Sequence, residues 1–311
     1  MAWSKKINRN RALGVYTSAE GTSVAVIEGA LDSCPRVSHC TLLASDTTIS
    51  AFVGSNDLKN TTCIDVMPIS DYSLMQVDVQ GIKTDEKREA VRWQIRELID
   101  YPAEEAILEL LEVPIVGEED KSRTFVVVAP VEKLRARASQ LLGADLYLDA
   151  IDIPELALRN LLTLYQDEPR GHCLLWINEQ GGLMVICKGE TLFFSRSINI
   201  GMSQLRQESI LEEGGILSEK TQVLLDGIVL EVQRSLDYCE SNFRLPPVPK
   251  ILVAMCGEES PEILDYLNRY LQADVQFADF RQVLDLPLDI DPPTINACLP
   301  ALGAALRGGG R

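Results

Sequence analysis

Residues 171–201, GHCLLWINEQGGLMVICKGETLFFSRSINIG, decide the fold of this chain. Three runs rich in Leu, Ile, Val and Phe, at residues 173–178, 183–188 and 191–196, are separated by turns that contain glycine. Such runs are typical of hairpins, because glycine adopts the positive φ angles that tight turns need. The stretch therefore predicts a three-stranded antiparallel meander near the middle of the chain.

An earlier segment repeats the beginning of this plan. Residues 11–17, 23–28 and 36–43 have the same β-forming character, and a polar turn separates the first two runs. Two segments that each open with a meander and continue into strand and helix units predict a duplicated α/β architecture. We therefore expect two halves, residues 1–166 and 167–311.

The boundary and an insertion follow from composition and periodicity. Residues 166–171 contain Asp, Glu, Pro and Gly, which interrupt helices and strands, and mark the boundary between the halves. A small subdomain inserted around residues 73–122 is expected in the first half. It opens with a strand-like run at residues 73–79. The clearest amphipathic helix of the chain follows at residues 84–100, and Pro102 prevents its continuation.

The remaining periodic segments alternate between the two kinds of element, as an α/β fold requires. A short helix is expected within residues 45–60. Further helices are predicted at residues 130–142, 154–165, 202–212, 218–243, 261–271 and 300–307. Further strands are predicted at residues 123–129, 145–151 and 250–255.

Composition limits the classes of function. At 311 residues, with 46% hydrophobic and 24% charged residues, the chain is long enough for two well-packed domains. A formal charge of −17 argues against a nucleic-acid partner, whose phosphates require a basic surface. No apolar run approaches the ~20 residues of a transmembrane helix, and the N-terminus lacks an apolar signal-peptide core. The sequence therefore predicts a cytosolic protein.

The cysteines and histidines point away from metal binding. Eight cysteines and two histidines include no Cys-x-x-Cys pair and no zinc-like spacing. Cys173, Cys187 and Cys239 lie within apolar runs and are expected to be small core residues in a reducing compartment.

Two basic clusters are candidate contact surfaces. Lys5 and Lys6 beside Trp3 could touch an anionic membrane, at about 1 kcal/mol per basic residue, or could belong to a solvated tail. On the predicted helix at residues 84–100, basic side chains recur every fourth position and could bind an acidic partner, or form a solvated face of mixed charge. These helix residues are Arg88, Arg92 and Arg96.

Four ordered segments resemble the PilM family of type IV pilus assembly, and within it the MshI-type proteins of mannose-sensitive haemagglutinin (MSHA) pili. They are AVRWQIRELIDYP (90–102), LFFSRSINIG (192–201), EVQRSLDYCESNF (231–243) and LPALGAALR (299–307). The resemblance implies an actin-like, duplicated RNase H-like fold related to FtsA and the cytoplasmic part of GspL. It implies a nucleotide between the halves, and a location at the inner-membrane face. It also implies a PilN- or MshJ-like bitopic membrane partner, together with other proteins of the pilus assembly platform.

The nucleotide positions depart from the pattern of that family. Tyr16 stands where the resemblance expects an acid, and Ala25 where it expects a lysine. The second phosphate loop has Asn178 instead of Asp, and Glu20 or Glu179 would replace an acid only out of register. The degenerate positions are Tyr16, Thr17, Ser18, Gly21, Thr22, Ser23, Asn178, Gly181, Gly182 and Gly257. Their hydroxyl groups could still bind phosphate, or could be ordinary turn residues.

Three hypotheses follow. The first is a non-catalytic scaffold of a pilus or secretion platform, with no catalytic residue, no metal and no cofactor. The second is an actin-like ATPase that binds ATP with Mg and whose nucleotide state gates partner binding. The third, a sugar kinase or phosphatase of the same superfamily, needs a catalytic carboxylate and intact phosphate loops, and the sequence contains neither.

Overall fold

The computed structural model describes residues 8–29, 34–83, 85–165, 168–206 and 217–309. The strands are β1 Asn8–Ser18, β2 Gly21–Glu28, β3 Arg36–Leu42, β4 Thr61–Val66, β5 Ser73–Val77, β6 Ala106–Ile115, β7 Glu118–Pro130, β8 Tyr147–Asp152, β9 His172–Ile177, β10 Gly182–Lys188, β11 Thr191–Ile198, β12 Lys250–Met255 and β13 Asp274–Phe277. The helices are α1 Ile49–Ser55, α2 Lys87–Ile95, α3 Val131–Gly143, α4 Pro154–Leu162, α5 Met202–Arg206, α6 Glu219–Phe243, α7 Pro261–Tyr270, α8 Pro292–Ala297 and α9 Leu299–Gly309.

Two five-stranded sheets share one topology. Their strand orders are β3-β2-β1-β4-β8 and β11-β10-β9-β12-β13. In each sheet the first three strands form an antiparallel meander, and the last two pair in parallel beyond the first strand. Both predicted meanders are present, and the repeated order of strands is the duplicated α/β plan expected from the sequence.

Helices cover both faces of each sheet. The first sheet packs on one face against α1 and α3, and the second packs on one face against α6 and α7. The facing sides of the two sheets enclose α4 and α9 in a continuous apolar core. Alternation along β2 produces this arrangement, since Val24 and Val26 face α1 while Ala25 and Ile27 face the central core. Cys173, Cys187 and Cys239 are buried, as predicted.

Glycine allows the central helices to approach closely. A methyl group on Gly303 of α9 would overlap the backbone carbonyl group of Ala157 in α4. A methyl group on Gly14 of β1 would overlap the carbonyl oxygen of Ala301. The helix predicted at residues 300–307 therefore packs as closely as its small side chains suggested. Helix α9 falls in the predicted second half by sequence but packs on the first sheet. The division at residue 166 stays a prediction.

The segment between β4 and β8 forms a separate three-stranded sheet of order β5-β7-β6, with α2 packed on one face. The predicted insertion around residues 73–122 falls on this sheet, whose strands span Ser73 to Pro130. Strands β4, β6 and β13 and helix α8 were missed, because each is short or mixes apolar with acidic residues. Trp3, Lys5 and Lys6, and residues 166–167 and 207–212, lie outside the described residues.

The predicted helix at residues 84–100 was too long. Helix α2 ends at Ile95, and Leu98, expected on the buried face, is 63% exposed. Beyond Ile95 the chain forms turns, in which the Leu98 amide donates to the Ile95 carbonyl oxygen at 2.8 Å. Val91 and Ile95 are fully buried, whereas Ile99 in the following turn is only partly buried against the same core, so the packing is weaker where the helix ends.

Candidate functional site

Two hairpin turns, one from each half, meet across the cleft between the sheets. The first joins β1 to β2, and the second joins β9 to β10. The backbone amide of Glu179 in the second turn donates to Oε1 of Glu20 in the first, at 3.1 Å. The structure therefore brings together the two segments that the sequence assigned to phosphate loops.

Hydroxyl groups of the first turn are engaged with one another and with the backbone. Thr17 and Thr22 form a hydrogen bond between their hydroxyl oxygens at 3.1 Å. The Ser18 hydroxyl oxygen accepts from the Glu20 amide at 3.2 Å. The buried Ser23 hydroxyl donates to the Tyr16 carbonyl oxygen at 3.3 Å, and Gly21 supplies the positive φ of the turn. In this structure the hydroxyl groups make the contacts of turn residues, and phosphate binding by them stays a prediction.

The second turn is closed by its own side chain. Asn178 Oδ1 accepts from the amides of Gln180 at 2.9 Å and Gly181 at 2.8 Å, and the Gly181 carbonyl oxygen accepts from the Asn178 amide. Gly182 begins β10 and pairs with both neighbouring strands. Asn178 thus uses the two amides that a phosphate-binding turn would offer.

Tyr16, which stands where the resemblance expects an acid, has a buried aromatic ring. It is 5% exposed, and its ring meets the Trp176 ring of the second half edge-on, with centroids 6.0 Å apart. Burial raises the pKa of the Tyr16 phenol, and the neighbouring Glu20 raises it further. The residue is therefore a neutral packing contact between the halves.

Two carboxylates, those of Glu20 and Glu179, lie at these turns. Glu20 already occupies the Glu179 amide, and burial raises the pKa of its carboxyl group although Arg206 opposes the shift. Arg206 pairs with the Glu179 carboxylate and lies beside Gly257, the last of the degenerate nucleotide positions. The two carboxylates would repel a phosphate, and the Glu179 amide could donate to one only if Glu20 were displaced. Among the described residues, no group of three or more His, Cys, Asp or Glu side chains is placed to hold a metal ion.

Three buried acids, at the ends of β4 and β8 and at the start of α4, were missed by the sequence analysis. Asp65 is 1% exposed and pairs with Arg137, whose Nη2 lies 2.6 Å from Oδ1. Asp152 is 3% exposed and pairs with Arg307 of α9 at 2.7 Å. Their positions at the ends of the parallel strands β4 and β8 were the available signal, but β4 itself was not predicted.

Glu155, in the first turn of α4, is the third of these acids and is 4% exposed. Its Oε2 accepts from the Tyr72 hydroxyl at 2.5 Å. Burial raises the pKa of Glu155 to about 7, and the hydrogen bond from Tyr72 opposes that shift.

The basic stripe on α2 has an intramolecular role. Arg88 donates to the Leu108 carbonyl oxygen at 3.1 Å and to Glu109 at 3.0 Å. Arg92 donates to the carbonyl oxygens of Ala103, shortly before β6, and of Ala106, its first residue. Arg96 lies beyond the helix and is exposed. Arg88 and Arg92 therefore hold α2 to its own sheet, and partner binding through this stripe stays a prediction.

A groove lies between the three-stranded sheet and the edge of the second sheet, with α4 at its base. We call it the edge-strand groove; it encloses about 240 Å³. Strands β6 and β11, each the last strand of its sheet within the described part of the chain, face each other across it. Its half-buried apolar lining includes Leu74, Leu110, Leu111, Phe125, Leu192 and Phe194. An apolar lining between two edge strands suits an extended segment of polypeptide.

The duplicated topology and the cleft between its halves define the actin-like fold, as expected from the sequence. No protein-family model matches the chain, and no curated protein matches it in sequence. Across the described residues, no helix combines the length and apolar character needed to cross a membrane.

Solved structures are similar to this chain in fold. A PilM–PilN type IV pilus biogenesis complex is 18% identical, with a TM-score of 0.69, and the match covers 98% of this chain and 100% of that one. The cytoplasmic domain of EpsL, an inner-membrane component of the type II secretion system of Vibrio cholerae, is 11% identical with a TM-score of 0.46, covering 84% of this chain and 94% of that one. The archaeal actin homologue Ta0583 with ADP is 12% identical with a TM-score of 0.39, covering 94% and 97%.

Proposed function

We propose that this protein is a non-catalytic actin-like scaffold of a type IV pilus assembly platform of the MSHA type, at the cytoplasmic face of the inner membrane. It docks the cytoplasmic N-terminal tail of a PilN- or MshJ-like bitopic membrane protein. The edge-strand groove carries the proposal, because its apolar lining and its two edge strands are suited to an extended tail. The similarity in fold to the solved PilM–PilN complex supports it.

The cleft supports the non-catalytic part of the proposal. The amides that would bind phosphate already donate to Asn178 and Glu20, so they could donate to a phosphate only by displacing these side chains. We therefore expect isothermal titration calorimetry of the protein with Mg-ATP to show no saturable heat. An actin-like ATPase titrated in parallel is the positive control. Tight binding of Mg-ATP would contradict the scaffold hypothesis and favour the hypothesis that nucleotide gates partner binding.

The groove itself is tested by substitution of Leu111, which lies on β6 and lines it. The probe is a synthetic peptide of the cytoplasmic tail of the PilN-like protein from the same genome. Leu111→Asp places a carboxylate in the apolar lining, so we expect the Kd for the peptide to rise about tenfold or more, as at a central contact of an interface. Calorimetry or fluorescence anisotropy measures the change.

Ile107→Asp is the matched control. Ile107 is on the same strand four residues earlier, is 48% exposed, and does not line the groove. Its substitution changes charge by the same amount and is expected to leave the Kd unchanged. Equal losses in the two variants would indicate a general electrostatic effect, and an unchanged Kd for Leu111→Asp would exclude this groove as the docking site.

A further inference from the structure

The edge-strand groove adjoins a polar cavity beside helix α4. Arg159 and Glu190 line the groove and also line a second cavity of about 250 Å³, so the two cavities meet at these residues. We call the second one the arginine cavity; its other polar lining residues are Asn160, Thr163 and Arg307. The apolar lining of the groove is therefore continued by a polar lining that contains two arginines.

One face of α4 lies beneath both cavities. Leu156, Arg159, Asn160 and Thr163 are spaced at three and four positions, which places them on one side of the helix. Leu156 lines the groove, Thr163 lines the arginine cavity, and Arg159 lies between them. From Leu156 to Arg159 the helix rises about 4.5 Å, which an extended chain covers in fewer than two residues. An extended segment with an apolar side chain over Leu156 therefore reaches Arg159 almost at once.

Arg159 is held in place but has no acidic partner. Its Nε and Nη2 donate to Oδ1 of Asn160, at 3.3 and 2.7 Å, and Nδ2 of Asn160 donates to the Gly303 carbonyl oxygen of α9 at 2.9 Å. Within the described part of the chain, the half-buried Arg159 forms no ion pair. A guanidinium group has five N–H donors, so three of them stay available to a ligand.

The other charges in the two linings leave the charge of Arg159 without a close counterion. Glu112 and Arg307 are each paired with a residue outside the linings. Glu190 is exposed and forms no ion pair with any described residue, so water and salt screen its charge. On a chain with a formal charge of −17, this junction is a local site for an anion.

We propose that Arg159 selects the partner tail by binding the carboxylate of an Asp or Glu residue. That acid lies within about three residues of the apolar side chains that fill the edge-strand groove, the reach of an extended chain along this face of α4. A guanidinium group binds a carboxylate more strongly than a neutral amide, and Asn160 orients Arg159 for that contact. The proposal rests on the proposed function of the groove and states which tails it accepts.

The first test uses two forms of the tail peptide of the PilN-like protein from the same genome. One is the natural sequence, and in the other each Asp is replaced by Asn and each Glu by Gln. We expect the unmodified chain to bind the natural form about tenfold more tightly, as for a close charge pair at an interface. Arg159→Gln is expected to bind both forms with the Kd that the unmodified chain has for the amide form, which also shows that the variant is folded. Isothermal titration calorimetry measures the four Kd values.

Arg135→Gln is the matched control. Arg135 is an exposed arginine of α3 that lines neither cavity and forms no ion pair among the described residues. Its substitution removes the same charge and is expected to preserve the tenfold difference. Glu190→Gln removes the acid that opposes an incoming carboxylate and is expected to tighten binding of the natural form alone, by about twofold or more. Equal Kd values for the two forms, or a tail without an acid in the stated place, would overturn the role of Arg159.

A second measurement needs no pilus protein. The probes are the hexapeptides LVLSES and LVLSQS, acetylated and amidated at their ends, and the signal is the Nε–Hε resonance of Arg159 in the NMR spectrum, assigned by its absence from Arg159→Gln. We expect a saturable shift with LVLSES that LVLSQS does not produce. Equal shifts, or none, would overturn the role of Arg159. A difference between the hexapeptides without binding of the tail peptide would overturn only the proposed function.

Discussion

Replacement of Gly303 by alanine is expected to reduce the free energy of unfolding by about 3 kcal/mol or more, at the upper end of the penalties for overpacking. The added methyl group would overlap the Ala157 carbonyl group, so α9 must shift from α4, and both helices are central to the core shared by the two sheets. Backbone cannot move aside as a flexible side chain can. Urea denaturation followed by circular dichroism measures the loss.

Gly54→Ala is the matched control for that substitution. Gly54 also lies within a helix, α1, but a methyl group there meets no atom within 4 Å. Alanine is the better helix former by about 1 kcal/mol, so this variant is expected to be slightly more stable than the unmodified chain. The same exchange should thus have opposite signs at the two sites. Stabilisation by Gly303→Ala would contradict the close packing of α4 on α9.

Arg137→Ala is expected to cost about 3–5 kcal/mol, the usual consequence of leaving a buried charge without its partner. Asp65 is almost completely buried, and Arg137 supplies its ion pair and two of its hydrogen bonds. Burial raises the pKa of Asp65, and Arg137 opposes that shift, so its removal should raise the pKa further. The loss should therefore be largest at high pH and shrink as Asp65 becomes protonated. Denaturation at several pH values measures it.

Two further variants distinguish the cost of leaving a buried carboxylate unpaired from a general effect of removing an arginine. Arg234→Ala removes an exposed arginine whose pair with Glu231 is 3.5 Å long, and should cost no more than about 1 kcal/mol. Adding Asp65→Asn to Arg137→Ala removes the stranded charge and should recover much of the stability. A double variant as unstable as Arg137→Ala would mean that packing of the Arg137 stem, and not charge, accounts for the loss.

The pH dependence of stability has a second expected source in Glu155. Its pKa in the folded protein, about 7, lies above the ordinary value of 4.5, so the folded state binds the proton more tightly than the unfolded state. The stability it contributes is present below pH 4.5 and is lost as pH rises to 7, by about 3 kcal/mol at most. Glu155→Gln should remove this decline and be the more stable protein at pH 8.

The sequence predicted the meanders and the duplicated plan because they depend on local signals. Glycine turns, β-forming runs and a proline at the first position of a helix all act within a few residues. Strand β6 was missed because Glu109 and Glu112 are separated by two leucines, so apolar and polar residues do not alternate regularly along the strand. Helix α2 was extended too far because periodicity does not reveal whether a core lies opposite Leu98.

The state of the cleft could be predicted only in part. Substitution of an acid by Tyr16 is visible in the sequence, and so is Asn178 in place of Asp. Occupation of the Glu179 amide by Glu20 depends on a contact across 159 positions, for which the sequence carries no local signal. The edge-strand groove likewise exists only once the inserted sheet is folded beside β11.

The position of α9 also governs how the chain can fold as it is made. Strands β1, β2 and β4 leave the ribosome well before α9, yet the surface that they bury on one face is supplied by residues 299–309. The first sheet must wait, with apolar side chains uncovered, until α9 has been synthesised too. The nascent chain is exposed to aggregation and to chaperones during that interval, and completion of this sheet depends on a helix made long after its strands.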